Sequence, residues 1–487
     1  MSYIDALFDR EHDRIHVVER RNGERVYREY PANYIFYYDD PRGKFQSIYG
    51  TPVNRFSSRN NKEFRKEVRS QSGKQLYESD INPIFRCLEE NYKDQDAPEL
   101  HTAFFDIEVA FDTERGFSPV ADPFNPITAI SVYLDWLDQM ITLAVPPKHL
   151  SWDTAQELVA EFENTILFER EEDMIKMFLD IIEGADVLTG WNSEGYDIPY
   201  TVNRTTRILS KDDTRRFCLW GQFPKQRMFE RFGAENQTYD LVGRVHMDYM
   251  QLYRKYTYEE RHSYSLDAIG EYELGERKTQ FEGTLDQLYN QHFKKFIEYN
   301  RQDTMIIAKL DKKLRFLDLA NELAHANTVL LQTTMGAVAV TEQAIINEAH
   351  ERGMVVPNRK QRLTDDDTQA AGAYVAYPKK GLHMWVGSVD INSLYPSAIR
   401  AMNMGPETVV GQLRQTMTDH LIKERMGKGD SFAAAWEGLF ASLEYTAVME
   451  QQRGTEITID WEGGEESVHS AMEIWHMIFD SNQPWIL

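Results

Sequence analysis

The sequence predicts a multidomain chain in which a small α+β segment precedes an α/β domain. Three observations lead there. The chain has 487 residues, about three domains at typical sizes. Its first hundred residues are short strand-like runs separated by turns. From about Thr102 strands and helices mix in the way that builds a central sheet covered by helices. The apolar fraction of 42% is ordinary for a globular protein and supplies a sizeable core.

The elements follow in order. RIHVVERR and NYIFYY read as strands within residues 1–100. HTAFFDIEVAFD is the next strand, ITAISVYLDW another after a proline-containing loop, and MITLAVPP a third. FEREEDMIKMFLDIIEGA has helical period, with Met174, Met177, Phe178, Ile181 and Ile182 on one side. ADVLTGW is again a strand, and IPYTVNRTTRIL is a helix with Pro199 in its first turn. A helical run from His292 to about Leu319 closes the domain. QTTMGAVAVTEQAIINEAHERG is a further helix stopped by Gly353. GAYVAYPKKGLHMWVGSVDINSLYPSAIRAMN then reads as strand, turn, strand, tight turn and helix. The last stretch reads as helical and acidic, and ends in Trp485, Ile486 and Leu487. Apolar residues there want burial, so either the chain is cut at that point or it docks onto something.

Charge and cysteines bound the function. The formal net charge is −24, which by itself argues against phosphate binding. Two stretches run the other way, Arg55–Lys74 and Arg204–Arg231, the latter with Arg207, Lys211, Arg215, Arg216, Lys225 and Arg227. Each reads as a solvated helix face or as a local stripe along which DNA could be tracked. An acidic chain also suits a protein that gathers carboxylates around divalent cations. Cys87 and Cys218 have no metal-ligand spacing and read as inert thiols of a reducing compartment. The first residues, MSYIDALFDREHD, lack the basic-then-apolar pattern of a secretory signal, and no stretch is apolar for long enough to span a bilayer. The expectation is a cytoplasmic protein with no membrane partner.

Three motifs carry hydrolytic chemistry. Asp106 and Glu108 flank Ile107 on a strand, so their side chains share a face. Two carboxylates so placed repel unless a cation lies between them. Asn192-Ser193-Glu194-Gly195-Tyr196-Asp197 follows the strand ADVLTGW and brings Asp197 to a helix start, where it could be a plain N-cap, a ligand, or both. In FKKFIEYNRQDTMIIAKLDKKLRFL, Tyr299, Asp303, Ile307, Leu310 and Leu314 lie along one helical stripe. Asp303 thus sits on an apolar face, where a carboxylate is costly unless paired or metal-bound. A fourth motif, Val389-Asp390-Ile391-Asn392-Ser393-Leu394-Tyr395-Pro396-Ser397, reads as a strand, a turn and a helix begun by Pro396. Its helix N-terminus offers free N–H groups to a phosphate, although Ser393 could equally be an ordinary N-cap.

The ordered set D-x-E, N-x-x-x-Y-D and Y-x-x-x-D resembles the proofreading domain of family B DNA polymerases, and S-L-Y-P after Asp390 resembles the first palm motif of the same family. Gly372-Ala373-Tyr374-Val375 resembles the family's small motif linking the exonuclease and polymerase regions, and the close run of features, including NMGPETVVG, looks most like polymerases of T-even-type phages. The resemblance implies a ribonuclease H-like exonuclease domain with a central mixed sheet at 101–335. Around it would lie an N-terminal α+β domain at 1–100, a return segment at 336–380 and the first part of a palm at 381–487. It implies that Asp106, Glu108, Asp197 and Asp303 hold two divalent cations, Mg²⁺ or Mn²⁺. These would activate water and stabilise the oxygens of an in-line displacement, with Tyr299 orienting the water. Single-stranded 3′ ends would be degraded to 5′-mononucleotides. It implies further that Asp390 and the carbonyl of Ile391 bind Mg²⁺ in a completed polymerase site. Ser393, Leu394 and Tyr395 would contact the incoming dNTP, Tyr395 selecting against a 2′-hydroxyl.

The family's Lys-x-x-x-Asn-Ser-x-Tyr-Gly string and Asp-Thr-Asp hairpin do not occur in the sequence. The expectation is therefore the first part of a split polymerase. A second, more basic chain would supply the rest of the palm, the fingers and the thumb, and through it a sliding clamp. Primer-template and single-stranded DNA are the expected ligands. A truncated fragment, a free-standing 3′→5′ exonuclease and a non-catalytic scaffold for a polymerase half are the alternatives.

Overall fold

The computed structural model describes residues 2–359 apart from 72, 113, 232 and 233, then 376–401, and beyond these residue 473 and the segments 409–413, 456–461, 466–470 and 485–486. The chain forms two units, one of Met1–Tyr38 with Arg55–Gly353, the other of Asp39–Asn54 with Met354–Leu487.

In the first unit, Ser2–Asp9, Arg14–Arg21 and Glu24–Pro31 form an antiparallel sheet. Its apolar face, with Tyr3, Ile15 and Val17, packs on Cys87, Leu88 and Tyr92 of the Pro83–Tyr92 helix. That helix starts where Asn82 accepts from the Ile84 N–H and Pro83 takes the first position. The basic run becomes the Asn61–Ser70 helix, which buries no residue and so has a solvated face.

The core of the unit is a six-stranded mixed sheet in the order Thr165–Leu167, Gln139–Ala144, Ile127–Leu134, Thr102–Val109, Val187–Thr189, Val245–His246. Ile127–Leu134 is antiparallel to both neighbours, while Val187–Thr189 runs parallel to Thr102–Val109 and to Val245–His246. This is the central sheet that the residue pattern predicts, with the mixed strand directions that the family resemblance implies. One face is covered by the Glu171–Ile181 helix, whose Met174, Ile175, Phe178 and Leu179 are buried in a cluster with Phe105 and Ile107. The Phe293–Leu314 helix lies on Thr102–Val109 and Ile127–Leu134, with Phe296 and Ile297 packed among Ala129 and Ala144.

Two features differ from the sequence reading. The run from His292 to Leu319 is two helices, Phe293–Leu314 and Phe316–Ala326. Arg315 between them has φ +54° and its N–H closes the first helix on the Asp311 carbonyl at 2.7 Å. In the second unit, the Leu394–Ala401 helix forms with Pro396 in its first turn, as expected, but Val386–Asp390 is not a strand. A strand needs a hydrogen-bonded neighbour, and this exposed segment has none among the described residues. In the last stretch, read as helical, the described segments include strands in the order Glu466–Ser470, Glu456–Trp461, Val409–Leu413, Trp485–Ile486, while Glu473 is helical. The β-branched run Ile457-Thr458-Ile459 favours extended backbone. Gly372–Val375 and most of NMGPETVVG lie outside the described residues.

Candidate functional site

The Thr102–Val109 strand runs through the middle of the sheet and brings Asp106 and Glu108 to the face covered by the Phe293–Leu314 helix. Carboxylate oxygens of Asp106, Glu108 and Asp303 lie within 4.8 Å of one another. Asp303 is 1% exposed and Glu108 7%. Ile107 points the other way, into the core cluster, as the two-residue alternation of a strand requires. Asp197 joins the group from the helix that follows the neighbouring strand Val187–Thr189. Its Oδ1 accepts the N–H of Ile107 at 3.2 Å, on the peptide between the two strand carboxylates. The chain that delivers it leaves the strand at Gly190, beside the central strand, where a Cβ would stand 2.7 Å from the Phe105 carbonyl oxygen, so only glycine fits. Tyr196, not Asp197, occupies the cap position of the Asp197–Ile208 helix, and no side chain caps it. The plain N-cap role open to Asp197 in the sequence is not the one it takes.

Tyr299 lies one turn before Asp303 on the same helix. Two further residues complete the cluster. Lys278 Nζ donates to Asp303 Oδ2 and, at 3.2 Å, to the Tyr299 hydroxyl. Asn300 Nδ2 donates to Asp106 Oδ2 at 2.9 Å. Sequence reasoning missed both. Lys278 comes from a polar loop between Gly275 and Gly283 with no periodic signal. Asn300 stands beside Tyr299 and could have been found by asking which helix neighbour also faces the sheet.

The electrostatics follow from burial and crowding. Burial, then the charge of Asp303, push Glu108 up to about 8. Burial pushes Asp197 to about 7 against the lowering effect of the Ile107 N–H. Asp106 is held well above the usual carboxylate range by burial and then by Glu108, Asp197 and Asp303. Burial raises Asp303 too, against the Lys278 ammonium. Burial works against that ammonium, but Asp303, Tyr299 and Asp106 outweigh it and raise Lys278 above lysine's ordinary value. One ammonium therefore faces four carboxylates. Asp303 Oδ1, fully buried, accepts no hydrogen bond. An orphaned buried oxygen within an all-oxygen donor set fits a hard divalent cation.

Elsewhere in this unit, most of the second basic run is neutralised. Arg204 pairs with Glu171, Arg207 with Asp122, Arg216 with Asp180 and Arg227 with Glu194 and Asp240. Cys87 and Cys218 are buried free thiols, which burial pushes up to about 12 and about 11. Among the described residues no helix is long and apolar enough to cross a membrane.

In the second unit Asp390, Ile391, Ser393, Leu394 and Tyr395 all lie at the surface. Ser393 has φ +49°, and its carbonyl accepts the Ser397 N–H at 2.8 Å to open the helix. A run of large apolar side chains is exposed around them, including Leu382, Trp385 and Val389, each more than 90% exposed.

Two family profiles match the chain. The exonuclease domain of DNA polymerase family B matches residues 56–269, and DNA polymerase family B matches residues 328–455. This chain belongs to DNA polymerase family B. Among its relatives, the DNA-directed DNA polymerase of Escherichia phage RB69 is 26% identical over 438 residues, 84% of this chain and 47% of the relative. The enzyme of Enterobacteria phage T4 is 28% identical over 249 residues, 51% of this chain and 27% of the relative. The DNA polymerase delta catalytic subunit of Bos taurus is 27% identical over 368 residues, 71% of this chain and 32% of the relative. The family B chain thus spans about half, or less, of the length of these relatives. Asp106, Glu108 and Asp197 fall within the stretch that the exonuclease profile matches, and Lys278, Tyr299 and Asp303 lie beyond it.

Proposed function

We propose that this chain is the N-terminal part of a replicative DNA polymerase and carries a two-metal 3′→5′ proofreading exonuclease. The observation that carries the reading is the convergence of Asp106, Glu108 and Asp303 within 4.8 Å, with one Asp303 oxygen left without a hydrogen bond. Asp106, Glu108, Asp197 and Asp303 would hold two divalent cations, Mg²⁺ or Mn²⁺. Bound there, the cations supply water activation and charge stabilisation at the scissile phosphate. The chain's own residues do the rest. The Tyr299 hydroxyl orients the attacking water, the Lys278 ammonium favours the charged form of Asp303 and turns it into the cluster, and Asn300 fixes the rotamer of Asp106. A terminal base must leave its duplex to reach carboxylates this deeply placed, so single-stranded 3′ ends are the preferred substrate. The test is degradation of a labelled single-stranded oligonucleotide with Mg²⁺ or Mn²⁺. Release of 5′-mononucleotides from the 3′ end is expected, lost with EDTA and in Asp106→Ala and Asp303→Ala. Unchanged degradation in both variants overturns the metal assignment.

For synthesis, Asp390 and the Ile391 carbonyl would bind Mg²⁺, and Ser393, Leu394 and Tyr395 would contact a dNTP. One carboxylate is half of such a site, and the fingers string and Asp-Thr-Asp hairpin are absent from the sequence. A second chain bringing them would cover the exposed Leu382, Trp385 and Val389 and give access to a sliding clamp. Co-expression with such a chain restores primer extension on this reading. The host cytoplasm is the proposed setting, as for a phage replication enzyme.

A further inference from the structure

The turn that carries Asp197 into the exonuclease cluster is held from outside by one buried carboxylate, Asp248, which none of the motifs includes. Asp248 is 6% exposed. Its Oδ1 accepts the N–H of Asn192 at 3.0 Å and of Met250 at 2.9 Å, and its Oδ2 accepts the N–H of Glu194 at 3.3 Å. The Met250 bond makes it the N-cap of the Tyr249–Tyr256 helix. The other two reach back some fifty residues to the Asn192–Tyr196 turn. That turn needs holding. Asn192 sits at φ +62°, a conformation of limited population for a residue with a side chain. The helix after it has no side-chain cap. A second clamp lies beside the first: Ser193 Oγ meets His246 Nε2 at 2.9 Å and donates to the Gly190 carbonyl at 3.2 Å. His246 and Asp248 are two residues apart, at and just beyond the end of the Val245–His246 edge strand, so the sheet edge itself grips the turn at two points. Asp197 follows the gripped Glu194 N–H by three residues and the Asn192 N–H by five, and it is the only one of the four cluster carboxylates not carried by the central strand or the long helix.

We infer that Asp248 is a positioning residue for the exonuclease reaction, fixing the turn that sets Asp197 within the cation-binding cluster. The inference rests on the two-metal reading above and adds a residue to it. Groups that orient metal ligands typically change metal affinity by about 10–100-fold when removed. Asp248→Asn keeps the shape but turns one acceptor oxygen into a donor facing an N–H, so the turn loses at least one anchor.

The experiment measures the Mn²⁺ concentration that half-saturates degradation of a labelled single-stranded oligonucleotide, together with Mn²⁺ binding to the whole chain followed by electron paramagnetic resonance. For Asp248→Asn the half-saturating concentration is expected to rise about tenfold, with kcat at saturating Mn²⁺ falling much less than in Asp197→Ala. Ser193→Ala loosens the same turn through the second clamp without touching the Tyr249–Tyr256 helix. It is expected to move the half-saturating concentration in the same direction, and it decides the matter if Asp248→Asn does not fold. A wild-type chain that binds Mn²⁺ and degrades the oligonucleotide, beside folded variants with unchanged Mn²⁺ dependence, overturns this inference alone. A wild-type chain that does neither overturns it together with the exonuclease reading.

Discussion

Filling the carboxylate cluster with cations should release protons, and the number can be worked from the site. A group with pKa about 8, as for Glu108, is about 90% protonated at neutral pH. One with pKa about 7, as for Asp197, is about half protonated there. Cation ligation needs both ionised, so these two alone give up roughly one and a half protons. The assay is isothermal titration of Mn²⁺ into the chain in Tris and in a buffer of low ionisation enthalpy at the same neutral pH. The difference in apparent enthalpy, divided by the difference in buffer ionisation enthalpy, is the proton number. A value of roughly one to two is expected from these two groups, falling as the pH is raised to about 10, where both are ionised beforehand. Stability has a linked sign. The folded pKa values lie above the ordinary values of 3.8 and 4.5, so the folded state binds more protons than the unfolded one between those limits. The cluster's contribution to stability therefore declines as pH rises from about 4 to about 8. Mn²⁺ should raise Tm more at the upper end of that window than at the lower. Equal titration enthalpies in the two buffers would refute the electrostatic argument.

Three other outcomes follow from single contacts. Lys278→Met removes the ammonium that faces Asp303; exonuclease rate should fall tenfold or more. Tm without cations should drop by the equivalent of about 3 kcal/mol for a buried charge left unpaired, with most of the loss recovered by Mn²⁺; an unchanged rate would show that Lys278 is a bystander. Arg20→Ala strips two hydrogen bonds from Asp186, which is fully buried. With Arg25 and the His101 N–H still in place, urea unfolding should show a loss near about 3 kcal/mol, and a loss below about 1 kcal/mol would mean that those remaining partners suffice. Phe178→Ala empties a fully buried position against Phe105 and Phe217. It should cost about 3–5 kcal/mol with an unchanged m-value, read by the same titration.

What the sequence by itself determined was whatever depends on short spacing. Two residues along a strand put Asp106 and Glu108 on one face. Four along a helix put Tyr299 and Asp303 on one stripe, and the period of the Glu171–Ile181 helix placed Met174 and Phe178 on its buried side, whereas Ile175 and Leu179, which it did not select, are buried and Met177 and Ile181 only partly so. The family followed from the order of those motifs. Only the tertiary structure decided what depends on closure. Lys278 and Asn300 enter the cluster because a loop and a helix face happen to meet there. Asp248 reaches Asn192 across some fifty residues because the edge strand lies beside the turn. The long helical run breaks at Arg315 because the left-handed conformation there lets the next helix turn back onto the core. The extended segment before Asp390 is no strand because pairing needs a neighbour that local sequence does not encode. Periodicity reports which side of an element is apolar; which distant group fills the space opposite is set by the packing of the whole domain.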